Sequence, residues 1–304
     1  MVDLSVEIAG IRLRNPLMAA SGAFGYGEEY SRVGDIRRFG AVTTRGTTLR
    51  PRAGSQPPLT LETPSGILNS LDPQNPGAET VAREKIPWLR QFGVPIIVNI
   101  LGSTYDELTE LGAVFSDVEG VSALEVNVGQ PGIARGGLTF GTDARSSYRA
   151  AVAVRKTWKG PLIVKLPPTT ADIAAIARAA VEGGADALSL IGPLAGMAID
   201  LETRKPVLGN LPGWLSGPAI RPVAISCVYQ VSQAVGVPVI GMGGVSSCRD
   251  VVEFMMAGAT AVGIGSGLLS NPGLPSQILG DLEMYCLQEG IASVSDLIGK
   301  AWKE

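Results

Sequence analysis

Lys165 is the residue with the most chemical promise. It sits in the apolar run IVKLPP (163–168), which carries its ammonium into an apolar setting. A buried lysine can serve as a Schiff-base nucleophile or as a cation beside an electron-rich ring. A structural ion pair would need an acidic partner, and the neighbouring residues provide none. A second stretch, LEVNVGQPG (124–132), reads as a buried strand running into a Gly/Pro turn, a common seat for a reactive side chain. What it presents there is Gln130, an amide that accepts no proton near neutral pH. Ser21, Arg45, Asn99 and Asn127 stand at or near the ends of other apolar runs and can converge with Lys165.

The chain contains no histidine, which removes a Ser-His-Asp triad, a His-paired cysteine, a His-ligated zinc and a histidine base. Its three cysteines, Cys227, Cys248 and Cys286, are far apart and show no CxxC spacing. They cannot supply the four thiolates of an iron–sulfur cluster, and no metal site is expected. Proton transfer falls to Lys, Asp, Glu, Tyr, Cys or Ser.

Two glycine loops suggest an anion site. GMGGVSSCRD (241–250) leads from an apolar run into a helical pattern, and GIGSG (263–267) follows another. Glycines expose backbone N–H groups, so Gly243, Gly244, Gly265 and Ser266 can cradle a phosphate; the alternative is that they only make tight turns. The phosphate could belong to a sugar phosphate or to FMN. Cys248 opens the helix after the first loop, where a helix N-terminus can lower a thiol pKa.

The elements that must position these residues are short Val/Ile-rich runs at 17–22, 41–46, 95–100, 123–128, 162–167, 187–192, 239–244 and 261–266. Helical patterns separate most of them. In TTADIAAIARAAVEGG, Ile173, Ile176, Ala177 and Ala180 form one apolar stripe, with Thr170 and Asp172 marking its start. Alternating strands and helices at this length predict a (β/α)8 TIM barrel, with a doubly wound sheet as the alternative. LSVEIAGIRL should form an N-terminal hairpin across the barrel's bottom, TLET (60–63) an arm of a hairpin, and DLETRKPVLGN (200–210) another hairpin. In a barrel, the glycine loops follow strands seven and eight, where phosphate sites recur, and the long loops gather at the C-terminal face.

The 304 residues, 45% apolar and 17% charged, fit one domain over 1–304. A net charge of −3 without a basic block argues against nucleic acid and anionic membranes as partners. No apolar run reaches ~18 residues, and MVDLSVEIAG lacks the basic and apolar segments of a signal peptide. A cytoplasmic protein is expected.

The motifs ASGAFGYGEEY, RGTTLRPR, ETPSGILNS, QNPG, GGLTFGTD, IVKLPP, GMAIDLETRKPVL, LSGPAIRP and GMGGVSS strongly resemble the catalytic subunit of class 1B dihydroorotate dehydrogenase, over nearly the whole chain. The resemblance implies a TIM barrel with FMN over its C-terminal face, where a base takes a proton from dihydroorotate and hydride passes to the flavin. It also implies a partner subunit carrying FAD and a [2Fe-2S] cluster, which passes electrons to NAD. A homodimer is the expected assembly. Carried over by position, the FMN-binding set is Ser21, Gly46, Asn99, Asn127, Lys165, Ile191, Gly217, Gly243, Gly244, Gly265 and Ser266. Arg45 joins it where the family has lysine, near both flavin and substrate.

The departures gather on the substrate side. The family's N-I-S-C-P-N loop, with cysteine as base, reads Asn127, Val128, Gly129, Gln130, Pro131, Gly132 here. An Asn-Thr pair that contacts substrate in the family is Gly192-Pro193, and a Gly-Leu pair is Asp72-Pro73; Asn69 and Asn127 remain. Asp72 is a candidate replacement base or a turn cap, and Tyr26 and Asp200 are further candidates. Gln130 could instead donate to a substrate carbonyl. The expectation is therefore an FMN-dependent oxidoreductase of this type acting on a small cyclic or carbonyl compound other than dihydroorotate. The alternatives are a true dihydroorotate dehydrogenase with a displaced base, a non-catalytic FMN barrel, and a Schiff-base aldolase using Lys165.

Overall fold

Runs rich in β-branched residues and buried on both faces suit parallel strands, and the chain uses them so. In the computed structural model, which describes residues 2–72, 74–129 and 140–303, the eight runs form one closed parallel barrel. The strands are Leu17–Ala19, Ala41–Thr43, Ile96–Ile100, Val121–Asn127, Leu162–Lys165, Ala187–Leu190, Val239–Met242 and Ala261–Ile264, called here barrel strands one to eight. Each pairs with the next, and strand eight closes on strand one through Val262 opposite Leu17.

Helices return the chain after most strands, and local chemistry sets their starts. Thr104, Asp143, Asp172 and Ser247 each accept a hydrogen bond from a backbone N–H three residues on, opening Tyr105–Ser116, Ala144–Arg155, Ile173–Glu182 and Cys248–Ala257. Asp172, not Thr170, is thus the cap, and the predicted stripe of Ile173, Ile176, Ala177 and Ala180 is the buried face. Between strands one and two the return is made by short 3-10 turns, Tyr30–Arg32 and Ile36–Arg38. Phe24, Tyr30 and Phe39 fill that side, with ring centroids 5.7 to 6.1 Å apart.

The N-terminal hairpin, Val6–Ile8 with Ile11–Leu13, lies across the N-terminal ends of the strands. Arg14 donates to the Gly93 carbonyl just before strand three, and Leu13 packs against Gly40 just before strand two. At the opposite end, TLET (60–63) pairs with Gly66–Asn69 as expected. Sequence patterning does not reveal that this hairpin joins Gly213–Ser216 and Leu194–Gly196 in a four-stranded antiparallel sheet. The loops after strands two and six thereby build one roof. Its close approach needs glycine at 66, where a Cβ would stand 2.0 Å from the Ser216 carbonyl oxygen. The hairpin expected within 200–210 is present as Ile199–Asp200 paired with Lys205–Pro206. Among the described residues, no helix is long and apolar enough to cross a membrane.

Asp172→Ala removes the carboxylate that accepts from Ala175 N at 2.8 Å. It should lower unfolding free energy by about 1 kcal/mol in a denaturant titration while leaving the cavity described below intact.

Candidate active site

Strand ends and roof enclose a cavity of about 630 Å³, within the range of cofactor and ligand sites. Ser21 enters it after strand one, Arg45 and Gly46 after strand two, and Asn99 from strand three. Asn127 and Lys165 end strands four and five, and Ile191, Gly192 and Pro193 follow strand six. Gly243, Gly244, Gly265 and Ser266 close the circle, and Asn69, Gly217, Trp214, Thr60 and Ile67 belong to the roof side.

The floor is polar and tightly held. Lys165 donates to Ser21 Oγ at 3.1 Å, and its Nζ lies 4.0 Å from Glu125 Oε1. Glu125 is the acidic partner that the residues around Lys165 in sequence do not offer; it comes from the adjacent strand. Its carboxylate also accepts from Asn99 Nδ2 and Ser189 Oγ, each at 2.6 Å. Among the described residues, two buried polar atoms of the wall find no partner, Asn99 Oδ1 and Arg45 Nε. Arg45 Nη2 donates to the Asp72 carbonyl at 3.4 Å. Burial pulls the Arg45 pKa below its ordinary value, opposed by Tyr26 and Glu29 nearby.

The glycine loops form an open backbone cradle. Gly243 and Gly244 have φ of 135° and 72°, and a Cβ on Gly244 would lie 2.7 Å from the Gly217 carbonyl oxygen. At Gly265 a Cβ would meet only Ala20, at 4.0 Å, so backbone there is open to a ligand. The helix Cys248–Ala257 starts beside this cradle, its end capped by Ser247. Exposed N–H groups and a helix N-terminus favour an anion.

The family model for dihydroorotate dehydrogenase matches residues 3–285. The chain belongs to the dihydroorotate dehydrogenase family. Curated relatives include the "Dihydroorotate dehydrogenase B (NAD(+)), catalytic subunit" of Geotalea uraniireducens, 48% identical over 98% of this chain and 97% of that protein. Proteins of the same name from Desulforudis audaxviator and Geobacter sulfurreducens are 47% and 46% identical, over 99% and 98% of this chain and 98% and 97% of theirs. As a family member the chain is a flavin-dependent oxidoreductase, and FMN is its cofactor. This removes the aldolase reading of Lys165 and the non-catalytic barrel.

The residues present fit FMN. The cradle suits its phosphate, and the unpartnered Asn99 oxygen and Arg45 Nε suit a ligand rich in N–H and C=O groups. On the substrate side the side chains are poorer. Gly192 and Pro193 line the wall without a side-chain donor or acceptor. Asn69 reaches the cavity with its amide engaged in the roof, donating to the Trp214 carbonyl at 3.0 Å and accepting from Leu71 N at 3.3 Å. Gln130, Pro131, Gly132 and Pro73 lie outside the described residues.

The base candidates separate. Asp72 touches the site through its carbonyl, beside the lining residues Leu71 and Gln74. Tyr26 lines the cavity, but burial pushes its pKa up, which disfavours the phenolate a base requires. Asp200 caps its hairpin turn, accepting from Thr203 N, Thr203 Oγ and Glu202 N; these bonds, the Thr203 backbone bond first, hold its pKa below the usual range. Cys248 also departs from expectation. Burial, with Asp281, Cys286 and Asp250 adding to it, pushes its pKa up to about 11 despite the helix N-terminus. Residue patterns missed Glu125 and the roof residues Thr60, Ile67 and Trp214. Glu125 stands in a strand buried on both faces, whose facing cannot be read without its neighbours.

Gly244→Ala should strip FMN from the protein, seen as loss of flavin absorbance in purified material at a retained far-ultraviolet circular dichroism spectrum. At pH 8, iodoacetamide should label Cys248 far more slowly in the native protein than after unfolding, because native thiolate is scarce.

Proposed function

We propose that the chain is the FMN-carrying catalytic subunit of a class 1B dihydroorotate dehydrogenase, oxidising dihydroorotate to orotate. The observation that carries this reading is near full-length likeness, 46 to 48% identity, to relatives bearing that name. It takes precedence over the expectation of a different substrate, which rested on a few positions. Bound FMN supplies the hydride acceptor. Gly243, Gly244, Gly265 and Ser266 hold its phosphate, and Ser21, Gly46, Asn99, Asn127, Ile191 and Gly217 surround the rest. Lys165 places positive charge where reduction gathers negative charge. Arg45, Asn69 and Asn127 face the substrate. Asp72, in the loop between the lining residues Leu71 and Gln74, is the proposed proton acceptor in place of the family's cysteine, by its carboxylate and not by the carbonyl that Arg45 meets. Electrons would pass to a separate subunit carrying FAD and a [2Fe-2S] cluster; the words "catalytic subunit" in the relatives' names support a further subunit.

A second reading, a related ring compound in place of dihydroorotate, is favoured by Gly192 and Pro193 in the cavity wall. Each buried hydrogen bond lost is worth about 0.5–1.5 kcal/mol, so an Asn-Thr pair replaced by Gly-Pro weakens a polar ring substantially. Here Gln130 would donate to a substrate carbonyl rather than accept a proton.

Anaerobic addition of dihydroorotate should bleach the flavin, and Asp72→Asn should slow bleaching roughly 100-fold or more. Bleaching by uncharged dihydropyrimidines but not by dihydroorotate would instead establish the second reading.

A further inference from the structure

Glu125 carries a carboxylate into the barrel interior, where it is 1% exposed, yet it does not line the cavity. Strand register explains its neighbours. Asn99 lies opposite Glu125 across strands three and four, and Ser189 opposite Lys165 across strands five and six. Their side chains meet inside the ring, so that Asn99, Ser189 and Lys165 all direct donors at one carboxylate. An ionised carboxylate only accepts hydrogen bonds. The Asn99 amide must therefore turn its nitrogen to Glu125, whichever way an isolated amide would settle.

That choice dictates the other end. Asn99 Oδ1 is left as an acceptor, buried and without a partner among the described residues, on a residue that lines the cavity. An orphan of this kind is destabilising unless a ligand brings a donor. Lys165 presents an ammonium to the same cavity. The two together offer one acceptor and one cationic donor. Oxidised isoalloxazine carries one ring N–H, flanked by carbonyl oxygens, and that edge has the complementary pattern.

We propose that Glu125 is a positioning residue of the flavin site, holding the Asn99 amide with its oxygen toward the ligand and tempering the charge of Lys165. The inference rests on FMN binding and is independent of which substrate is oxidised. Glutamine at 125 can donate as well as accept, so it no longer dictates the amide's direction, and it leaves Lys165 without its counter-charge.

The test titrates apo-protein with FMN and measures the midpoint potential of the bound flavin, without substrate. Glu125→Gln should raise the FMN dissociation constant about tenfold or more. It should also move the potential to more positive values, since removing a nearby negative charge favours the anionic reduced ring. Glu125→Asp, which keeps the charge on a shorter arm, should return the potential toward wild type while affinity stays reduced. A purely structural glutamate would lower the unfolding midpoint of Glu125→Gln and leave affinity and potential of the folded protein unchanged. That result overturns the proposal, as does reduced affinity with an unshifted potential. If Glu125→Gln does not fold, Ser189→Ala carries the test, since it removes a donor to Glu125 outside the cavity wall. Because it keeps the carboxylate's charge and leaves it less neutralised, Ser189→Ala should weaken FMN binding by a smaller factor and move the potential to more negative values. Unchanged affinity, or a potential that is unmoved or more positive, overturns the proposal.

Discussion

Closure of the strand ring is the constraint from which the rest follows. Strand eight returns to hydrogen-bond strand one, so no barrel edge is left open. All eight strands run the same way, and side chains at their C-terminal ends must converge on one face. Ser21, Asn99, Asn127 and Lys165 come from segments far apart in the chain and share a cavity for that reason. The N-terminal hairpin lies across the other end, where Arg14 and Leu13 meet the residues preceding strands two and three.

The barrel interior is not wholly apolar, and its polar part is arranged around one carboxylate. Glu125 is acceptable there because donors reach it from strands three and six and a cation stands on strand five. A buried charge without such partners would be strongly unfavourable. The same network keeps the Lys165 ammonium at the cavity floor, linked to Ser21 on the far side. Charge held by fixed partners needs little rearrangement when charge develops on a bound ligand.

Shape comes from the loops. The segment after strand two and the segment after strand six form one antiparallel sheet, with Trp214 opposite Asn69. This makes the roof part of a hydrogen-bonded structure rather than two independent flaps. It also occupies the Asn69 amide, so a residue that reads as a substrate ligand is partly spent on holding the roof. The glycines at 66 and 217 let the two segments approach, since a Cβ at either would collide with backbone of the other.

Much was legible in the residues alone. Eight Val/Ile-rich runs, the helix start at Asp172, and the glycine loops follow from local rules, because strand pleat, cap geometry and positive φ each depend on a few adjacent residues. The family likeness was legible too, carried by contiguous motifs such as GMGGVSS and IVKLPP. What sequence could not supply was anything decided by register between strands. Glu125 appears local to LEVNVG, yet its meaning lies in Asn99, Lys165 and Ser189, which the barrel brings to it. Likewise Cys248 has the right local setting for an acidic thiol, and burial against other parts of the chain reverses it. Spacing along the chain determined which elements form and where the glycine loops fall. Tertiary packing alone decided which charges are paired and which polar atoms are left for a ligand, because both depend on neighbours that only ring closure brings within hydrogen-bonding distance.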